Sequence, residues 1–578
     1  MNSSSADRMI RIDMNDQSVK IELFPEAWKL LGGRALSARI LLEECDPNCD
    51  PLGPDNVFVL APGFLAGTSA PTSGRISVGA KSPLTGGIKE ANAGGNPGQD
   101  LMKLGFRVVI VRGEPADSES RYAVDIDAEG VRIHPADEHR GKWNYALIDD
   151  LKESYSASAS FVSIGPAGEQ RLSGASVACT DREQERHPAR HAGRGGLGAV
   201  MGSKGIKFFS IDAGKLPTRK PADAKAFSAT SKQYTKEFIA GPGKEPFPKW
   251  GTSVIVSEAN SIDTFPYKNR TEGSSPDVET LDGMRIVESF EKRGGRMHAC
   301  MTGCVVKCSN MVNDSKGNYK TSALEFETLT LLGSNCAIAN WEDVADLDRL
   351  CDDIGVDTIE TGAAIGIYMD SGDLEWGNAE GAKRVLREIA EGTELGRALG
   401  NGAVAIGHKQ KHHRVGVVKG QAFPAWDPRP LKAAGITYCT SAMGADHTAG
   451  LVVEPGQPIE EIAQASQEAQ ILNAVLDAVG FCQFLMPNIE EMSQFYSHFL
   501  GEAVTREVLA DLGWKCMQDE WKFNALAGFG PEDDEMPDCM KHDPIGDAKF
   551  VWDIPQEVVN RVYERFELRD ELFQQRPA

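Results

Sequence analysis

Cys300, Cys304 and Cys308 stand at intervals of four in the stretch Cys-Met-Thr-Gly-Cys-Val-Val-Lys-Cys, and this triplet constrains the fold more than any other feature. In a chain without secretory features, thiols this closely spaced point to a metal centre rather than a disulfide framework, because a reducing cytosol disfavours disulfides while thiolates bind iron and zinc. A cubane iron–sulfur cluster commonly takes a tight triplet plus one remote cysteine. Cys482 is the candidate for that fourth position, so the chain has to fold residues 300–308 against residue 482. Two rivals stand beside this reading: a zinc site, which most often uses cysteine pairs two to four residues apart, and buried thiols without metal.

At 578 residues the chain is long enough for two to four domains and for complete enclosure of a large cofactor. Its formal charge of −23 argues against nucleic acid or anionic membrane as a partner, since like charge repels phosphate. A basic-faced redox partner or sister subunit is compatible with it. No run of about eighteen apolar residues occurs, so no transmembrane helix is expected. The opening MNSSSADRMIRIDMND lacks the apolar core of a secretion signal, and a cytoplasmic location is expected. Of the twelve cysteines, those outside the triplet and Cys482 are dispersed and read as reduced, mostly buried thiols.

Residues 9–14 and 18–23 alternate apolar and polar around Asn15-Asp16, which predicts a hairpin. A helix is expected from about Pro25 through Glu44, followed by strands at 57–61 and 107–112. Between those strands, residues 72–98 form a glycine-rich passage in which backbone amides, Arg75 and Lys81 offer a hold for phosphate. It matches neither familiar nucleotide motif. A second glycine-rich passage, residues 192–207, makes the same offer through its amides and Arg194, Lys204 and Lys207. The bland alternative is that these glycines serve tight packing.

Beyond residue 212 the pattern turns mostly helical, after a proline- and charge-rich boundary at 215–225. Glu325 and Glu327 lie among apolar neighbours just after the triplet; a desolvated carboxylate there is fit for proton transfer, the alternative being a helix N-terminal acid or a salt bridge. Asp352-x-x-Gly355-x-Asp357 has a counterpart in Asp477-x-x-Gly480-x-Cys482, each a turn in which glycine supplies a left-handed residue. The basic run His408–Arg414 reads as a solvated face, with partner docking the sharper alternative. His447, in a polar glycine-flanked loop, can exchange protons near neutrality or be structural.

Taken together, and in this order along the chain, these passages resemble the aldehyde:ferredoxin oxidoreductase family, over nearly the whole length. The resemblance implies an α+β fold: an N-terminal β-sheet pterin-binding domain (1–211) and two mainly α-helical domains (212–415 and 416–578) closing over it. It implies tungsten, or molybdenum, held by two pyranopterins beside one 4Fe-4S cluster on Cys300, Cys304, Cys308 and Cys482. Magnesium bridging the pterin phosphates is compatible with this set. By the same resemblance Arg75, Asn92 and Gly94 lie near pterin, with Arg75 also between pterin and cluster. Arg194 and Gly195 serve the other phosphate end, and the Asp352/Gly355/Asp357 and Asp477/Gly480 turns each hold one pterin. The family's acid maps onto Glu327, with Glu325 as alternative, and its histidine onto His447.

The activity so implied is oxidation of aldehydes to carboxylic acids, with ferredoxin or an iron–sulfur subunit as electron partner and a homo- or hetero-oligomer as assembly. Three departures stand out. Three residues, not two, separate Cys300 from Cys304; the helix from Trp341 lacks the histidine of an interface-metal motif, so no such metal is expected; and the stretch from His447 to Cys482 is short. A low-potential reductase of an activated aromatic acid is the second enzyme reading, since a scaffold does not fix the reaction. A non-catalytic electron-transfer subunit and a zinc-stabilised binding protein are the readings outside enzymology.

Overall fold

The computed structural model of the chain describes residues 7–241 and 245–572. The hairpin predicted at the start is β1 (Arg8–Asp13) and β2 (Ser18–Leu23). With β3 (Phe58–Pro62), β4 (Ile76–Lys81), β5 (Ile88–Ala93) and β6 (Phe106–Arg112) it forms a six-stranded sheet in the order β2-β1-β6-β3-β4-β5. A second six-stranded sheet holds β7 (Tyr122–Asp127), β8 (Gly130–Pro135), β9 (Ser160–Ser163), β10 (Val177–Asp181), β11 (His187–Ala192) and β12 (Ile206–Asp212), in the order β11-β10-β9-β12-β7-β8.

Adding six to each strand of the first order reproduces the second read from its other end. In each sheet the hairpin's first strand runs parallel to the last strand, β1 with β6 and β7 with β12, and the other pairings are antiparallel. A helix follows each hairpin, Gly33–Glu44 and Asn144–Ser154, and a short one precedes each last strand, Pro97–Lys103 and Leu197–Ser203. The β-rich region is thus one unit used twice. The two sheets share an apolar core, in which Phe58 of the first stacks on Phe209 of the second with ring centroids 6.5 Å apart.

The helix expected from Pro25 begins only at Gly33, after a short turn of 3₁₀ helix at Glu26–Trp28. The reason is tertiary. A Cβ on Gly33 would sit 1.9 Å from the Asp477 carbonyl oxygen, so the chain bends there to admit a turn from the far end of the sequence.

After Asp212 the chain is mainly helical. The cysteine triplet is the loop between Arg296–His298 and Ser309–Asn313, two strands of a small antiparallel sheet completed by Tyr319–Ser322. The chain then passes through a single turn at Phe326–Thr328 into a widened π turn, Leu329–Gly333, a form of helix that gathers at functional sites. The basic run is not a free cationic face: Lys409 pairs with Glu394, His412 Nε2 lies 3.2 Å from Asp370, and Arg414 bonds Asp543 at 2.6 Å. Among the described residues no helix is long and apolar enough to cross a membrane.

Candidate active site

Both Asp-x-x-Gly turns end long helices. Trp341–Ile354 is closed by Gly355 at φ +79 and Ile462–Val479 by Gly480 at φ +91, the left-handed C-cap that glycine adopts without a Cβ penalty. Each turn docks on one sheet. Phe64 and Leu65 donate to the carbonyls of Ala478 and Val479 just after β3, and Ser176 donates to the Gly355 carbonyl just before β10. The duplicated base therefore presents two equivalent docking points, one for each turn.

Between base and helices lies a cavity of about 410 Å³. Arg75, Asn92, Gly94, Arg194, Asp352, Asp357 and Asp477 line it, together with Glu325, Glu327, His447, Cys300, Cys308 and Cys482. Residues spread from 75 to 482 thus meet in one place. Cys304 is not part of the cavity lining; it interacts with Cys300, and that interaction pushes the Cys300 thiol up and holds Cys304 down at about 6. Burial pushes the Cys308 and Cys482 thiols up, and the neighbouring Glu325 adds to the rise at Cys308. Gly94 approaches so closely that a Cβ would be 3.3 Å from the Cys300 sulfur.

Arg75 spans two regions. Its Nη2 donates to the Asn92 carbonyl at 3.1 Å, its Nε to the Asn92 side chain, and its charge faces Cys482 and Cys300 as well as Asp477. Burial pushes the Asp477 and Asp352 carboxyls well up. Asp477 has Arg34 at 3.9 Å, and Asp352 has His191 Nε2 at 3.2 Å. Asp357 is largely spent on its own helix, capping Thr358–Asp370 through the Ile359 and Glu360 amides.

Glu325 and Glu327 take opposite sides. Glu325 is deeply buried, which pushes its carboxyl up against the opposing pull of a Thr252 hydrogen bond, and it faces Arg190 and Arg75 beside the cysteines. Glu327 Oε2 accepts from the Ala425 amide at 2.7 Å, leaving Oε1 3.6 Å from His447 Nε2. Burial alone would raise Asp446, beside His447, but Lys89 and Arg194 outweigh it and hold the carboxylate far below its usual range.

Several polar atoms at the cavity have no hydrogen-bond partner: Arg194 Nε, Asp352 Oδ2, Glu327 Oε1 and His447 Nδ1. Buried polar atoms without partners are costly, so this set fits a polar ligand with both acceptors and donors.

Part of the expected anion site is not there. Lys81 donates to the Pro47 and Cys49 carbonyls, Lys204 to those of Gly53 and Pro54, and Lys207 to the Lys142 carbonyl while paired with Glu169. All three ammonium groups pin loops behind the sheets. Gly195 lies outside the cavity wall, where its backbone is pressed against the Lys89 side chain, and Gly193 lines the cavity instead. Arg194 reaches the cavity while donating to the carbonyls of Ala445 and Ala422.

Sequence reasoning missed Arg190, His191, Asp348 and Asp446, all on the wall. Arg190-His191 occupies in β11 the place that Ala91-Asn92 holds in β5, a signal that becomes readable once the repeat is recognised.

Comparison with known proteins accords with this arrangement. Residues 9–213 match the N-terminal domain of aldehyde ferredoxin oxidoreductase, and residues 229–571 match its domains 2 and 3. The tungsten-containing aldehyde ferredoxin oxidoreductase of Pyrococcus furiosus is 30% identical over 574 residues, covering 93% of this chain and 92% of that protein. An aliphatic sulfonate oxidoreductase, WOR-like subunit, from the same organism is 26% identical, covering 97% and 93%. The fold also matches the active site complex BamBC of benzoyl coenzyme A reductase, solved with 1,5-dienoyl-CoA, with a TM-score of 0.80, 18% identity and coverage of 96% and 93%. With both family domains matched in order and a relative 30% identical along nearly its full length, the chain belongs to the aldehyde ferredoxin oxidoreductase family of oxidoreductases.

Proposed function

We propose that this protein is a tungsten-pterin oxidoreductase that converts aldehydes to carboxylic acids and passes the electrons through a 4Fe-4S cluster to ferredoxin or an iron–sulfur subunit. The observation that carries the proposal is the convergence of Cys300, Cys308 and Cys482, the aspartates of both Asp-x-x-Gly turns and the Glu327–His447 pair on one cavity. In this reading Cys300, Cys304, Cys308 and Cys482 hold the cluster.

Asp477 with Gly480 and Asp352 with Gly355 and Asp357 would hold the two pterins, Asn92 and Gly94 would bound the first, and Arg194 the second. Arg75, facing Asp477 on one side and Cys482 and Cys300 on the other, would join pterin to cluster. The bound group supplies the two-electron redox chemistry. The chain supplies proton handling. Oxidation of an aldehyde adds the oxygen of water to the carbonyl carbon and releases two protons and two electrons. Glu327 takes a proton at Oε1, the oxygen that its Ala425 hydrogen bond leaves free, and His447 donates from Nε2 to the substrate carbonyl oxygen.

Anaerobically purified protein is expected to contain about four iron atoms and about one tungsten or molybdenum per chain, and to reduce a viologen dye when given simple aldehydes. Iron and tungsten without aldehyde turnover, but with oxidation of reduced viologen by an aromatic acyl thioester, would replace the oxidase reading by the reductase one. Iron without tungsten or molybdenum would leave an electron-transfer subunit.

A further inference from the structure

In the loop that follows the Gly33–Glu44 helix, Cys45 and Cys49 bring their sulfurs to 3.9 Å of each other. Neither lines the cavity. Cys45 closes the helix, its amide donating to the Leu41 carbonyl, and the chain then turns so that the Cys49 amide donates to the Asp46 carbonyl. Of the eight cysteines outside the four read as cluster ligands, seven are buried and Cys49 is half-buried. The pair is therefore a buried thiol beside a reachable one. Lys81 Nζ donates to the Pro47 and Cys49 carbonyls at 2.6 and 2.8 Å, and Lys204 Nζ to the Gly53 carbonyl at 2.8 Å. Two ammonium groups are thus held against the loop that carries both sulfurs. The end of a helix opposes negative charge, and so does burial. The bond from Cys49, aided by the two lysines, outweighs them and draws the Cys45 thiol below its usual value. Either sulfur can be the donor in that bond, so the charge also reaches Cys49.

We propose that Cys45 and Cys49 are a redox-active dithiol, a site at which this protein exchanges with a small-molecule disulfide of the glutathione class. In the first step the Cys49 thiolate, the half-exposed one, attacks a sulfur of the oxidised molecule, forms a mixed disulfide and expels one small thiolate. In the second the Cys45 thiolate attacks Cys49 Sγ, which closes the protein disulfide and expels the other small thiolate. Two protein thiols and one small disulfide become one protein disulfide and two small thiols; the protein pair loses the two electrons that the small molecule gains. Closure takes the sulfurs from 3.9 Å to about 2.0 Å, with the half-exposed Cys49 side chain free to swing. The site does not depend on what the cavity holds.

Trypsin cuts after Arg39 and Arg75, and the peptide between them holds Cys45 and Cys49 and no other cysteine. Anaerobically purified full-length protein is exposed to oxidised glutathione, trapped with N-ethylmaleimide in denaturant and digested for mass spectrometry. The peptide is expected to be lighter by two hydrogens and to carry no label. It is expected to take a label on each cysteine when dithiothreitol is added before trapping, while the buried Cys336 stays labelled throughout. In Cys45→Ser the reaction is expected to stop at the mixed disulfide on Cys49, and in Cys49→Ser to run roughly tenfold more slowly, because Cys45 is buried. A parent peptide that keeps both labels, or that stops at a mixed disulfide, would overturn the proposal. Bridging confined to protein unfolded before the exposure would overturn it likewise. Should either variant fail to fold, the parent peptide decides alone.

Discussion

Two glutamates separated by one residue end on different sides of the same cavity. Glu325 faces Arg190 and Arg75 beside the cysteines, while Glu327 is anchored by the Ala425 amide with its free oxygen 3.6 Å from His447. The chain turns between them through the first residues of the Phe326–Thr328 helix, which is why adjacent acids serve different neighbours. Glu327→Gln keeps the size and the Ala425 hydrogen bond but cannot take a proton. It is expected to lower kcat by roughly 10²–10⁴ with metal content unchanged, measured as aldehyde-dependent dye reduction normalised to tungsten. At this scale Cys300, Arg75, Glu327 and His447, singled out from the sequence, all line the cavity. Lys89 and Asp446 were not singled out, because their buried pairing joins positions 357 apart and neither flank hints at it.

Gly480 combines two requirements that only a glycine meets. It closes the Ile462–Val479 helix at φ +91, and a Cβ there would lie 2.8 Å from the Gly63 Cα. Gly372 is a control: its φ is +86 but a Cβ would meet nothing within 4 Å. Gly372→Ala is expected to cost only the left-handed penalty, roughly 1–2 kcal/mol. Gly480→Ala is expected to cost more by a further 1–3 kcal/mol of the order seen for overpacking, and to loosen the turn that carries Cys482. Thermal melts of the two apoproteins compare the costs, and iron content after anaerobic purification reports the turn. The left-handed glycines were readable as Asp-x-x-Gly patterns. The helix boundary at Gly33 was not, because it is set by the Asp477 carbonyl arriving from the other end of the chain.

On the scale of the whole molecule, folding buries acids around a space built for a ligand. Asp348, on the cavity wall, is pushed up to about 7 by burial from an ordinary value of 3.8, against the opposing hydrogen bond from Thr321. The folded apoprotein therefore keeps a proton there that the unfolded chain has lost, so it binds more protons than the unfolded state between those values. Stability is expected to fall as pH rises from about 4 to about 7 and to change little through this group above that range. Thermal melts of apoprotein across the range measure the slope, and Asp348→Asn is expected to flatten it; an unchanged slope would show that Asp348 is not its source.

The sequence by itself determined the class of chemistry and the parts that carry it: a thiol triplet, two acidic glycine turns, glycine-rich joins after strands, and strand alternation giving way to helical periodicity. These are local, set by residue type and spacing over a few positions. The tertiary structure decided which parts meet. It used one β unit twice to make two docking points, spent Lys81, Lys204 and Lys207 on loop carbonyls rather than on a ligand, and placed Thr72 between Gly303 and Cys482. The physical reason is that a buried charge or hydroxyl takes its role from whatever partner desolvation forces on it, and that partner is chosen by the packing of elements hundreds of residues apart.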